Sequence, residues 1–232
     1  MKVQKIHENF RRFLLNENID PNDVCMYHHG VGKQTQRIIL YKPVQDSDIQ
    51  SRLFLDTVII GAVRIDNTQA ELDTPCIPET FQISSIFTHQ DYEGQGFQKL
   101  LMDCAFYVLG QQGKGLTSDQ DHGTTPAATR AWRKIDASGE YEKRKTAQGN
   151  DEFDYNNRTP DPDDDCNLPR DITAVSTSYK KNDTSNIQPQ YDKMNANHEQ
   201  YLKKIDRVDR SAFRTMLVNK SISDFTRRYH GL

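Results

Sequence analysis

ISSIFTHQDYEGQGFQKLLMDCAFYVL, residues Ile83 to Leu109, carries the pattern that decides how the chain folds. Apolar Ile83, Ile86 and Phe87 read as a strand. Polar residues follow, then Gly94 and Gly96, then Leu100, Leu101, Cys104, Ala105 and Val108 at helical spacing. The two glycines let the backbone approach a ligand closely, and the new helix offers N–H groups and a positive dipole end to an anion. The physical reading is a phosphate cradle; an ordinary strand-to-helix turn uses the same residues.

Outward from this stretch the neighbouring segments fall into place. Upstream, Asp56 to Asp66 (DTVIIGAVRID) is β-branched and almost continuously apolar, as central strands are. Arg37 to Tyr41 reads as a further strand, preceded by a turn at Gly30 and Gly32. Met26 to Lys33 looks at first like a phosphate loop, but Gln34 follows the lysine and no glycine stands five positions before Gly32, so that pattern fails. His28 and His29 are adjacent, point to opposite sides of a strand and make a poor chelating pair. Residues 4–16 carry Ile6, Phe10, Phe13 and Leu14 on one face of an amphipathic helix.

Downstream, Leu116-Thr117 reads as a short strand ending in Ser118 and Asp119. A helix then starts at Pro126, with Thr124 or Thr125 as cap. Strand, glycine turn, helix and strand make a βαβ unit with parallel strands, whose ligands sit at the carboxyl ends of the strands.

Composition changes after residue 145. Residues 146–195 are polar, with an acidic, proline-interrupted run from Asp151 to Asp171, and read as a long loop or disordered insertion. Asp161, Asp163 and Asp165 alternate as calcium ligands would, yet Cys166 occupies the position that needs glycine and Ile172 the one that needs glutamate, which rejects an EF-hand. From residue 196 order returns. Between His198 and Val218, Leu202, Ile205, Val208, Ala212 and Met216 share one helical face, and Lys203, Arg207, Arg210 and Arg214 another. That basic stripe could meet phosphates of a nucleic acid, pack as a solvated face, or partner the acidic loop.

The whole chain of 232 residues has a net charge of −3, which does not mark it as a general binder of nucleic acid or acidic membrane. Only 35% of it is apolar and its mean hydropathy is −0.83, so part of it adds little to a core. The four cysteines, Cys25, Cys76, Cys104 and Cys166, form no CxxC pair, and no metal site is implied. With no signal-like N-terminus and no apolar run of membrane-spanning length, the expectation is a cytoplasmic protein.

Residue by residue, Ile86 to Leu101 resembles the central motif of the GNAT-type N-acetyltransferases, in which a strand ending L-x-V-x-P-x-Y leads into R/Q-x-x-G-x-G/A and a helix. Ile86, Thr88, Tyr92 and Gly96 stand at the leucine, valine, aromatic and first-glycine positions, while Gln90, Glu93 and Gln98 depart from the pattern. A second block resembles that family's N-x-x-A-x-x-x-Y-x-K-L: Thr125, Ala128, Trp132, Lys134 and Ile135 fall at its spacing, with Thr125 for asparagine and Trp132 for tyrosine. Leu116 to Trp132 also resembles phage-encoded members.

The resemblance implies an α/β domain over residues 1–145, a GNAT-like mixed sheet flanked by helices, followed by the polar insertion of 146–195 and a C-terminal helical segment of 196–232. It also implies acetyl transfer from acetyl-CoA, as cosubstrate, to an amine of a protein, a small molecule or a modified nucleobase. Backbone around Ile86, Phe87 and Thr88 would pair with pantetheine, the amides of Gly94, Gln95, Gly96, Phe97 and Gln98 would hold the pyrophosphate, and Thr125, Ala128 and Trp132 would complete the cofactor site. Asp119 and His122 are candidate proton acceptors, and Tyr141 a candidate acid. The departures at Glu93, Gln98 and Trp132 also fit a member that has lost catalysis and serves as a binding or structural module, and the basic stripe a nucleic-acid-associated protein.

Overall fold

A computed structural model describes residues 23–43, 57–67, 80–119, 124–145, 177–205 and 207–230. The helix expected at 4–16 and the acidic run of 151–171 lie outside these residues. Seven strands form one sheet: β1 (Cys25–His29), β2 (Thr35–Lys42), β3 (Val58–Asn67), β4 (Thr80–Thr88), β5 (Gly115–Thr117), β6 (Tyr141–Lys145) and β7 (Thr177–Lys181), in the spatial order 1-2-3-4-5-7-6. The helices are α1 (Phe97–Gly110), α2 (Pro126–Ala137), α3 (Gln188–Lys203) and α4 (Arg207–His230). The expected α/β class, a mixed sheet flanked by helices, is what the chain adopts.

Strands β1 to β4 run antiparallel to their neighbours, and β5 then pairs parallel to β4 through Thr80–Gly115, Phe81–Leu116 and Gln82–Thr117. The parallel pair needs a crossover, and α1 supplies it. At the β1–β2 turn Gly30 has φ 74°, and a Cβ there would come within 2.5 Å of the Thr35 carbonyl oxygen; the glycine serves the turn.

Two cores sandwich the sheet. On one face Leu101, Cys104, Ala105, Phe106 and Leu109 of α1 pack on Ile38, Leu40, Val63, Phe81 and Leu116, with Trp132 and Tyr179 beside them. On the other face Phe213 and Leu217 of α4, with Tyr201, Leu202 and Ile205, pack on Ile39, Tyr41, Ile59, Ala62 and Phe87. Helix α3 contributes Met194 to the first core and Tyr201 to the second, and its Asn197 Nδ2 donates to the Val24 carbonyl beside β1 at 2.9 Å. It thereby covers the sheet's edge.

Part of the segment read as polar insertion is integral to the sheet. Strand β7 lies between β5 and β6, with Tyr179 fully buried, and α3 begins at Gln188 rather than after residue 195. The sequence TSYKK lacks the apolar alternation of a buried strand because its polar groups are paired internally. Thr80 Oγ1 donates to Ser178 Oγ at 3.0 Å, Thr117 Oγ1 donates to the Thr177 carbonyl at 2.9 Å, and Lys181 faces Asp103 and Glu140 at 3.4 Å each. The C-terminal segment is two helices rather than one run. The break after Lys203 resets the phase, so Ala212 is exposed while Phe213, Leu217 and Ser221 are buried. No helix among the described residues is long and apolar enough to cross a membrane.

Candidate functional site

The β4–β5 ladder stops at Gln82–Thr117, and the two strands part. One step further, the register between β3 and β4 slips: Arg64 faces Ser85 and Ile65 faces Ile83, leaving Ser84 as an extra residue in β4. Such a bulge bends a strand and re-aims its side chains. Ile83 and Ile86 accordingly both serve the α1-side core, while Phe87 turns to the α4 side. Ser84 Oγ donates to Asp66 Oδ2 at 2.5 Å, and Asp66 also takes Thr35 Oγ1 at 2.7 Å and Arg64 Nε, so the bulge is held.

Beyond β4 a single 3₁₀ turn, Gln90–Tyr92, leads to the glycines. Gly94 (φ 71°) and Gly96 (φ 82°) are both left-handed, and Gly96 is the N-cap of α1 with no side chain to occupy the cap. A Cβ on Gly94 would meet nothing within 4 Å, so its need for glycine is conformational rather than steric. Left-handed residues alternating with ordinary ones turn successive amides toward one side, the concavity that suits an anion. Glu93 is exposed, its N–H donating to the Gln90 carbonyl at 3.3 Å, and the Gln95 side chain is drawn back to the Asp91 carbonyl at 2.9 Å.

A cavity of about 340 Å³ opens where β4 and β5 part. Residues 83–86 of β4 line one side; Gln98 and Met102 of α1, and Ala128, Ala131 and Trp132 of α2, line another; Asp119, Thr124 and Thr125 close it after β5. Asp119 is only 7% exposed. Of the residues the sequence picks out, the structure therefore brings Ile86, Gln98, Asp119, Thr125, Ala128 and Trp132 to one cavity.

Several of these have structural duties as well. Thr125 Oγ1 accepts from the Ala128 N–H at 3.2 Å as the α2 cap, as its place before Pro126 suggests. Trp132, 3% exposed, stacks on Tyr179 with ring centroids 5.6 Å apart and meets Phe106 edge-on at 6.4 Å, which fixes α2 against the sheet. Phe87 is a core residue, and Thr88 is buried, its Oγ1 without a hydrogen-bond partner among the described residues.

Tyr141 stands elsewhere. It begins β6, its ring 4.8 Å from that of Phe106 and its hydroxyl 3.5 Å from Lys181 Nζ. Burial pushes its phenol above the ordinary value, against a smaller downward pull from Lys181. Burial lowers Lys181 itself, but Asp103, Tyr141 and Glu140 outweigh it and the ammonium titrates above its usual value. His122 lies outside the described residues. Of the basic stripe, Arg210 Nε donates to the Ile205 carbonyl at 3.1 Å and Arg214 lies 3.7 Å from Glu199, both engaged at the junction of α3 and α4. No group of three or more His, Cys, Asp or Glu among the described residues is placed to hold a metal.

Among the lining residues that sequence reading does not assign to the site, Met102 and Phe225 are the two large apolar ones from helices. Met102 sits on the helix whose cavity-facing side is visible only once the sheet is known. Phe225 comes from α4, some distance along the chain, and no local pattern ties it to β4.

No family model matches the chain, and no curated protein matches it. Among solved structures, an acetyltransferase of the GNAT family from Staphylococcus aureus Mu50 is similar at 12% sequence identity, over 74% of this chain and 84% of that one, with a TM-score of 0.35. A likeness that loose bears on neither activity nor substrate.

Proposed function

We propose that the protein is an acyltransferase that moves an acetyl group from acetyl-CoA to an amine. The observation that carries this reading is the cavity between the diverging ends of β4 and β5, beside a turn with two left-handed glycines that opens α1. Acetyl-CoA fits the arrangement as a substrate. Its pyrophosphate takes the amides of residues 94–98 and the dipole of α1, and its pantetheine arm follows β4 past the end of the ladder, which aims the thioester into the cavity.

Transfer needs an unprotonated amine, a place for its proton and a leaving thiolate. The amine nitrogen bonds to the acetyl carbon as the C–S bond breaks. Asp119 is the carboxylate among the cavity's described lining residues, and we assign it the ammonium proton, directly or through a water. His122 is a second acceptor suggested by sequence. The sulfur departs as a thiolate and takes its proton from solvent, because Tyr141, its hydroxyl 3.5 Å from Lys181 Nζ, is not among the residues that line the cavity.

Calorimetry with acetyl-CoA and CoA tests the binding half, and absence of heat at millimolar ligand defeats the proposal. Thiol release with pooled amines tests turnover. Asp119→Asn should lower kcat by roughly 10²- to 10⁴-fold with CoA affinity retained. A variant that turns over as fast as the parent removes Asp119 from the chemistry.

A further inference from the structure

Helix α4 buries Phe213, Leu217 and Ser221 at intervals of one turn, and Phe225 is next in that row. The first two lie in the core of the α4 face. Phe225 packs against Phe87 with ring centroids 6.3 Å apart, and it also lines the cavity that Met102 and Trp132 line from the α1 and α2 side. One side chain can serve both faces only because β5 leaves β4 after Gln82, so no strand closes the sheet there. The cavity is thus lined from both faces of the sheet, by α1 and α2 on one and by the Phe225 ring of α4 on the other.

The chemistry of that wall is particular. Ile86, Met102, Trp132 and Phe225 give apolar and aromatic surface beside uncharged polar side chains such as Gln98 and Thr124, and Asp119 is the one carboxylate among the described lining residues. An amine on an apolar stem satisfies both: its ammonium pairs with the carboxylate while its stem replaces water against the rings. A polycation would bring further ammonium groups against apolar surface, at a desolvation cost.

We infer that Phe225 forms the acceptor-side wall of the cavity and that the acceptor is a single amine carried on an apolar or aromatic stem. The transfer step rests on the proposed acetyltransferase activity; the binding site does not. Trp132 is the chain's one tryptophan, so its fluorescence reports on the cavity.

Phenethylamine, the probe for such a stem, should perturb Trp132 emission saturably and more tightly than spermidine. Phe225→Ala should weaken phenethylamine at least roughly tenfold, the loss expected for one buried aromatic contact. Phe225→Leu, which keeps packing on Phe87, should fall between, and decides the matter if the alanine variant does not fold. Calorimetric CoA affinity should stay within about twofold of the parent in the folded variants, because the proposed pyrophosphate cradle is made of the backbone amides of residues 94–98, which Phe225 does not supply. Emission that does not respond to millimolar phenethylamine, or equal affinity in parent and leucine variant, overturns the inference. Phenethylamine binding that depends on Phe225, in a protein that does not bind CoA, keeps the site and defeats the acetyl-transfer reading; the reverse pattern keeps the reading and defeats the site.

Discussion

The two faces of the sheet are covered in contrasting ways. The α1 face is covered by a helix that follows β4 directly and leads into β5, and it is packed by Leu101, Cys104, Ala105, Phe106 and Leu109. The α4 face is covered by a helix from the end of the chain, and its core has polar groups embedded in it. His198, 1% exposed, has Nδ1 2.7 Å from the Tyr41 hydroxyl, its ring stacked 5.1 Å from that of Tyr27, and its Nε2 without a hydrogen-bond partner among the described residues. Arg214 lies close by, its guanidinium 6.0 Å from the centre of the Tyr27 ring and its Nε likewise unpartnered. Both faces keep buried or half-buried polar groups, the Lys181–Asp103 pair and His28 among them on the α1 side, but His198 Nε2 and Arg214 Nε, without a partner among the described residues, belong to the face closed from a distance.

The largest effect that separates the faces is the loss of a central ring from each. Phe106 touches Trp132 and Tyr141, and Phe213 touches Tyr41 and Tyr201; both are fully or almost fully buried. Phe106→Ala should cost about 4–5 kcal/mol in denaturant unfolding, because α1 is pinned at both ends by β4 and β5 and cannot close the cavity left behind. Phe213→Ala should cost nearer about 3 kcal/mol, since α4, unlike α1, does not join two strands of the sheet and can settle inward. Equal costs would break the contrast between a pinned and an adjustable face.

Acidification should act on both faces, and most on the α4 face. Burial, with a smaller contribution from Arg214, lowers His198 to about 4 from an ordinary 6.5. The unfolded chain therefore binds the proton first as pH falls. His198 contributes stability in full above about 6.5, loses it as pH drops toward about 4, and the loss levels off below that, to a total of up to about 3 kcal/mol. His28, buried against Gln36 and Tyr191, is shifted in the same direction and adds to the slope. His198→Gln, which preserves an acceptor for Tyr41, should flatten stability between pH 6.5 and 4 apart from the share of His28. A slope unchanged in that variant would place the pH response outside this core.

The same contrast explains what could be read from the sequence. The strand, glycine turn and helix of Ile83 to Leu109, the Thr125 cap with Pro126, and the parallel βαβ unit are all local, and each rests on residues within a few turns of one another. Their cavity-lining members, Ile86, Gln98, Asp119, Thr125, Ala128 and Trp132, were legible for that reason. Strand β7 was not, because Thr80 of β4 donates to its Ser178 hydroxyl, Thr117 of β5 to its Thr177 carbonyl, and Asp103 of α1 and Glu140 before β6 pair with its Lys181, partners that only tertiary pairing supplies. The bulge at Ser84 was equally hidden. A one-residue slip exchanges faces, so Phe87, which alternation would set with Ile83, turns instead toward Phe225. Phe225 itself reaches the site through a contact that no periodicity encodes.

The smallest effect tests whether the legible half works as read. Glu93 ends the turn before Gly94 and is exposed. If residues 94–98 hold the pyrophosphate of CoA, a carboxylate at the lip repels it through solvent, and the interaction is screened by salt. Glu93→Arg should tighten CoA binding by roughly two- to fivefold, the scale of a single charge near a helix N-terminus, and the gain should shrink as ionic strength rises. Stability should hardly move, because Glu93 belongs to neither core. Unchanged affinity at low salt would mean that the phosphates lie away from this lip, and the glycines would then serve only the geometry of the strand-to-helix turn.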